Sequence, residues 1–139
     1  GGWTAYYQAP SYSRLWANST YIKLRFNVSD WLTLAGGFTA NGNNWEVNHL
    51  DFLDNLSFPA DPNAVIDDMI LVFCPKGLDA IKRTTLKTIL TNGLPDFEWT
   101  LQYNDYANDP GNSAVADPVE QRVALTLSQL FKMPEFQTI

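Results

Sequence analysis

Cysteine is almost absent from this chain: Cys74 is the single one among 139 residues, so no internal disulfide can form. Cations are also scarce, because nine Lys and Arg face fifteen Asp and Glu and the net charge is -6 at pH 7. Such a chain has no basic stripe to neutralise a run of phosphates, so nucleic acid is not expected among its partners. No apolar run approaches the roughly 18 residues that a membrane-spanning helix needs, and no membrane span is predicted.

The common catalytic motifs are missing too: there is no GxSxG elbow, no glycine-rich phosphate loop and no HExxH helix. His49 is the only histidine of the chain. Its neighbours Glu46, Asp51 and Asp54 suggest a metal site or a base oriented by a carboxylate, but one histidine makes no known zinc spacing. An ordinary polar residue near a loop is the favoured interpretation, and the sequence predicts neither a cofactor nor a metal site.

Apolar side chains are plentiful. Hydrophobic residues make up 45% of the chain and aromatic residues 14%, which is enough for a real core in a domain of this size. The length fits one domain, so residues 1–139 are predicted to form a single globular unit. Because a free-standing chain normally starts with Met, the start at Gly1 indicates a domain excised from a longer protein.

Two segments alternate apolar and polar residues, which is typical of strands with one buried face. They are residues 21–28 and residues 97–104. Their apolar faces comprise Ile22, Leu24, Phe26 and Val28 in the first segment and Phe97, Trp99, Leu101 and Tyr103 in the second. Trp99 is expected to be largely buried.

Residues 67–75 contain the continuous apolar run MILVFC, which indicates a buried strand. A helix is predicted over residues 78–90, with Asn92 and Gly93 as its stop. A second helix is predicted to begin at Asp117 as N-cap, followed by Pro118. Its buried face would comprise Val119, Val123, Leu127 and Leu130.

These elements predict an α+β fold, in which about two helices flank a largely antiparallel sheet. The predicted order of strand, helix and strand over residues 67–104 also fits a right-handed parallel crossover, which stays open as the alternative.

Aromatic residues crowd the chain before and at the first predicted strand. They are Trp3, Tyr6, Tyr7, Tyr12, Trp16 and Tyr21. Such a set can fill a partner's pocket or stack on sugars, because Tyr and Trp give a large amphipathic contact area. The alternative is an irregular segment that wraps over the core.

The opening stretch resembles the start of the protruding domain that some iflaviruses, picorna-like viruses of insects, carry at the C-terminal end of a major capsid protein. The similar features are the pair Tyr6-Tyr7, the turn ANST, the segment YIKLRF and the closing Ser29-Asp30. A weaker similarity covers the segment DMILVFCPKG and residues 121–136.

This resemblance implies a domain on the virion surface, built on a sheet with helices, that acts in host-cell attachment or entry. Its implied partners are the rest of the capsid protein, the shell and a host receptor or glycan.

The resemblance also implies site residues, because related domains carry an Asp, His and Ser group as a catalytic or receptor-interacting site. Asp30 matches that Asp, and Ser13 lies where the His-Ser pair belongs. No His is present there, and a Ser hydroxyl needs a base to become a nucleophile, so hydrolysis is not expected. Tyr12 and Trp16 are predicted to bind a partner instead. A small hydrolase would require His49 to fold back beside Ser13 and Asp30.

A secreted carbohydrate- or protein-binding module is the other alternative. It would require exposed, coplanar aromatic rings, for which Trp3, Trp16 and Trp31 are the candidates.

Overall fold

The computed structural model describes residues 19–33 and 37–137, except for the side chains of residues 19–22 and 31–32. This part of the chain forms seven helices and one hairpin. The helices are α1 (Ser19–Thr33), α2 (His49–Asp54), α3 (Pro62–Phe73), α4 (Ala80–Thr91), α5 (Asp96–Asn108), α6 (Ser113–Phe131) and α7 (Pro134–Gln137). The strands are β1 (Phe38–Ala40) and β2 (Asn43–Trp45).

The helix α6 lies at the centre of the fold, where it contacts α1, α2, α4, α5 and α7. Its inner face is almost completely buried and comprises Val119, Val123, Leu127 and Leu130. These four residues were predicted to share a helical face, and the prediction is confirmed. Around them, one hydrophobic cluster takes in Leu53 of α2, Ile66 of α3, Leu86 of α4 and Trp99 of α5.

The predicted α+β fold is wrong. The structure is 68% helical, and its described residues contain a single sheet of two short antiparallel strands. The parallel crossover over residues 67–104 is excluded as well, because that range holds parts of three helices and no strand.

Residues 21–28, predicted as a strand, lie within α1. Ser29 and Thr33 lie four residues apart on one face of the helix and are buried, whereas Leu24 and Val28 are exposed. Among the described side chains of α1, the buried ones are therefore small and polar, and the alternation of apolar residues does not mark them.

The other two predicted strands are also helical. Residues 67–73 belong to α3, which begins before the apolar run: the Asp61 side chain accepts the N–H of Asn63 at 2.9 Å, and Pro62 takes the first helical position. The apolar run by itself resembles a buried strand, but it is the second half of a helix whose capped start precedes it.

Residues 97–104 belong to α5. Trp99 and Tyr106 face the core, whereas Phe97 and Leu101 are exposed. The predicted common face of Phe97, Trp99 and Leu101 is therefore wrong, although the predicted burial of Trp99 is confirmed.

The two predicted helices exist. The helix α4 ends as expected, because Asn92 takes the left-handed conformation at φ 55° and closes the last turn. The helix α6 begins at Ser113, five residues before Pro118, the predicted first helical residue. The reason is Asn112, whose side chain accepts the N–H of Ala114 at 3.0 Å and caps the helix, so that Pro118 lies inside it.

The hairpin turns at Asn41 and Gly42, whose φ angles are 53° and 78°. Positive φ at both central residues defines the tight turn that suits the twist of two antiparallel strands. Asn-Gly is the pair that such a turn favours, because both residues tolerate a positive φ.

Candidate binding groove

An open groove of about 450 Å³ lies between α5 and the segment that joins α2 to α3. The segment, residues 57–62, is called the 57–62 loop below and forms one wall. Asp96, Thr100 and Tyr103 form the other wall. These three residues lie on one side of α5, because positions three and four apart share a helix face.

Two hydrogen bonds fasten the 57–62 loop to α5. The indole N–H of Trp99 donates to the carbonyl oxygen of Pro59 at 2.9 Å, and the hydroxyl of Thr100 donates to the carbonyl oxygen of Ala60 at 2.8 Å. Side chains of α5 thus satisfy the loop carbonyls. Because these hydrogen bonds hold the loop in place, binding would require less ordering of the groove.

Two backbone N–H groups of the 57–62 loop also help to hold it in place. The N–H of Ser57 donates to the carboxylate of Asp68 at 2.9 Å, and the N–H of Asp61 donates to the carbonyl oxygen of Phe58 at 3.1 Å, which closes a tight turn. This turn carries Phe58 at its start and leaves 69% of that residue exposed.

Two tyrosines of α5 converge on one carboxylate of α2. The hydroxyl groups of Tyr103 and Tyr106 donate to the two oxygens of Asp54 at 3.1 and 2.8 Å. Burial, together with the hydrogen bond to Asp54, raises the pKa of Tyr106 to about 12, and burial also raises the pKa of Tyr103. Both phenols are therefore neutral donors at physiological pH.

Asp96 forms an anchored corner of the groove at the start of α5. Its carboxylate lies 2.9 Å from the ammonium of Lys87 on α4 and accepts a hydrogen bond of 3.0 Å from the side chain of Asn63 on α3. These two donors, Lys87 first, lower the pKa of Asp96. Asp96 thus stays ionised and joins three helices at the end of the groove.

Apolar side chains continue from the groove onto the protein surface. Phe97 and Leu101 lie four residues apart on the adjoining face of α5 and are 60% and 53% exposed. Phe58 lines the groove itself, whereas Phe97 and Leu101 directly follow Asp96 and Thr100, two residues of the other wall. Exposed apolar groups that cluster at a concave site are typical of interaction surfaces.

Asp30, which was matched to the Asp of the iflavirus protruding domains, lies on α1 and faces α6. It accepts a hydrogen bond of 2.8 Å from Ser128 and lies 2.7 Å from the ammonium of Lys132. Burial acts to raise the pKa of Asp30, but the hydrogen bonds from Lys132 and Ser128 outweigh it and hold the pKa below its ordinary value. The contacts of Asp30 therefore join α1 to α6.

His49 begins α2 and is buried, with Nδ1 at 3.6 Å from the carboxylate of Glu120 on α6. Within the described residues, neither ring nitrogen has a hydrogen-bond partner. Glu120 and Ser128 are eight residues apart on α6, which corresponds to about 12 Å along the helix axis. His49 and Asp30 thus contact residues of α6 that are more than two helical turns apart.

Several predicted site residues lie outside the described part of the chain. Ser13, Tyr12, Trp16 and Trp3 precede residue 19, and the side chain of Trp31 is not described either. In residues 19–33 and 37–137, no three His, Cys, Asp or Glu side chains come together as a possible metal site.

The groove itself was missed by the sequence analysis, although its signals are present. Pro95 before Asp96 and an acidic first turn indicate a helix start, and Trp99, Tyr103 and Tyr106 follow helical spacing. Once α5 is treated as a helix, Phe97 falls on the side opposite the buried Trp99 and becomes a surface residue.

Comparison of this chain with family models, curated proteins and solved structures finds no match. None of the helices in the described ranges has both the length and the apolar character that crossing a membrane requires.

Proposed function

We propose that this chain is a binding domain whose groove docks an apolar segment of a partner protein. The observation that carries this proposal is the exposure of two aromatic side chains: Phe58 lines the groove and is 69% exposed, and Phe97 directly follows Asp96 of the other wall and is 60% exposed. Leaving such large side chains in water forgoes burial worth about 1.5 to 3 kcal/mol for each. A partner that covers both would gain this free energy on binding.

The rigidity of the groove supports the same function. Its loop is fastened through the carbonyls of Pro59 and Ala60, and its far wall is fastened through Asp54 and Asp96. Aromatic side chains on a preorganised surface are typical of the anchor points of protein interfaces.

The more specific function that we propose is that of a protruding domain on a viral capsid protein, with the groove engaged in host-cell attachment. It is supported by the resemblance of the opening stretch and by the groove as a docking surface. The helical fold removes the sheet that the resemblance implied, so this assignment rests on residues rather than on architecture. A jelly-roll capsid domain preceding this region in the parent chain would support it, and a parent chain without one would overturn it.

Docking can be tested with an uncharged synthetic peptide that has a central Trp-Leu pair between Ser and Gly residues. The peptide is titrated into the isotope-labelled chain and followed by NMR. We expect shifts of the Trp99 indole N–H and of the 57–62 loop amides, since both report on the groove. Phe97→Ser should weaken binding about tenfold or more, as loss of an aromatic anchor does.

The matched control is Leu71→Ser on α3, because Leu71 is 71% exposed and, unlike Phe97, has no lining residue of the groove beside it in the chain. It should leave the peptide affinity unchanged. Equal losses in Phe97→Ser and Leu71→Ser would show non-specific adhesion and contradict the proposal, as would a titration without shifts at the groove.

A further inference from the structure

The charges of this chain are segregated along the sequence. Residues 26–75 contain no Lys or Arg, and neither do residues 88–121. The first stretch holds seven carboxylates: Asp30, Glu46, Asp51, Asp54, Asp61, Asp67 and Asp68. The second stretch holds six: Asp96, Glu98, Asp105, Asp109, Asp117 and Glu120.

Both walls of the groove come from these two stretches. The 57–62 loop and α2 belong to the first, and α5 belongs to the second. Lys87 reaches the groove from α4, but its ammonium pairs with Asp96. The neighbouring Arg83 of α4 pairs with Asp67 of α3 at 2.7 Å. The cations of α4 are thus already paired with carboxylates.

Carboxylates lie on both sides of the exposed apolar face of α5. Asp61 lies in the loop across the groove and is exposed. On the far side, Glu98 directly follows Phe97, and Asp105 lies one turn beyond Leu101. The carboxylate of Asp61 thus belongs to a residue that lines the groove, and those of Glu98 and Asp105 belong to neighbours of Phe97 and Leu101 on α5.

We infer that the segment docking in the groove is cationic, with an apolar side chain between Lys or Arg residues. This inference rests on the proposed docking function and specifies the chemistry of the partner. A basic segment places its cations near Asp61, Glu98 and Asp105 while its apolar side chain contacts Phe58 and Phe97. An acidic segment with the same anchor is repelled, which gives the site specificity and speeds association with basic partners.

The test compares four synthetic peptides on the whole chain by calorimetry. The first is the uncharged Trp-Leu peptide above, the second carries Lys on both sides of the same pair, and the third carries Glu there. The fourth keeps Lys but replaces the Trp-Leu pair by Ser. The Lys peptide should bind about tenfold tighter than the uncharged one in low salt, and the advantage should fall several-fold at about 0.5 M salt, where charges are screened.

The double variant E98Q/D105N should weaken binding of the Lys peptide several-fold and leave the uncharged peptide unaffected. The described structure gives neither carboxylate a hydrogen bond or an ion pair, so the fold should tolerate the change. Asp117→Asn on α6 is the control, since it removes one charge outside the groove, against two in the double variant, and should have no more than a small effect.

The outcomes separate the two proposals. If the uncharged and Lys peptides bind equally at every salt concentration, docking holds and the cationic inference is overturned. If the fourth peptide binds as well as the second, charge alone attracts peptides and the apolar groove is not the docking site. If none of the peptides binds, or if the chain instead associates with itself through Phe97, both proposals are overturned.

Discussion

The indole N–H of Trp99 donates a hydrogen bond of 2.9 Å to the carbonyl oxygen of Pro59, so the bulkiest buried side chain of the described core also holds the rim of the groove. Core packing and the shape of the surface site are therefore coupled through one residue. A change at Trp99 should affect the stability of the core and the position of the 57–62 loop together.

Two substitutions of Trp99 should separate the contribution of its buried ring from that of its hydrogen bond to the 57–62 loop. Trp99→Ala should lower the free energy of unfolding by about 3 to 5 kcal/mol, because a large buried ring is lost. Trp99→Phe keeps an aromatic ring but leaves the Pro59 carbonyl without its donor, at a cost of about 1 to 3 kcal/mol. Denaturant unfolding measures both, with Phe97→Ala as an exposed control expected to cost little. A loss below about 1 kcal/mol for Trp99→Ala would contradict the buried position of the ring.

Alkaline pH should weaken the contact between α5 and α2. The pKa of Tyr106 is raised to about 12 in the folded chain, whereas an unfolded tyrosine has a pKa of about 10. The folded state thus retains a proton that the unfolded state loses, so stability from this group is complete below about pH 10 and declines as the pH rises towards 12. Unfolding measured at increasing pH should show a shallower decline in Tyr106→Phe. An unchanged slope in that variant would disprove the role of Tyr106.

Acid should weaken the attachment of α1 to α6. The pKa of Asp30 is held below its ordinary value, so its contribution to stability is present above that ordinary value and is lost as the pH falls through the lowered one. Asp30→Asn should lower the free energy of unfolding at neutral pH and should flatten its decline below about pH 5. Urea unfolding at several pH values, compared with Asp117→Asn, measures this difference. Identical acid profiles for Asp30→Asn and the wild type would exclude the proposed contribution.

The sequence predicted α6 better than α1, and the reason lies in what each helix buries. The inner face of α6 is made of Val and Leu at helical spacing, so its hydrophobic pattern and its packing agree. On α1 the buried positions include Ser29 and Thr33, while Leu24 and Val28 face outwards. Among the described side chains of α1, the apolar pattern does not mark the buried positions, because those positions are Ser and Thr.

The groove could not be predicted because it depends on contacts between distant residues. Trp99 and Pro59 are forty residues apart, and Tyr106 and Asp54 are fifty-two apart. The Asp-Pro start of α3 was visible in the sequence, but the partner of the 57–62 loop was not. Local signals place the ends of helices, whereas tertiary packing decides which loop meets which helix face.

The central position of α6 has a consequence for synthesis on the ribosome. Its partners α1, α2, α4 and α5 all precede it in the chain, so they emerge before the helix that covers their apolar faces exists. Until residue 131 has left the exit tunnel, the nascent chain exposes Leu53, Leu86 and Trp99 and is a target for chaperones that bind apolar segments. Folding is therefore expected as one late, cooperative event rather than helix by helix during translation.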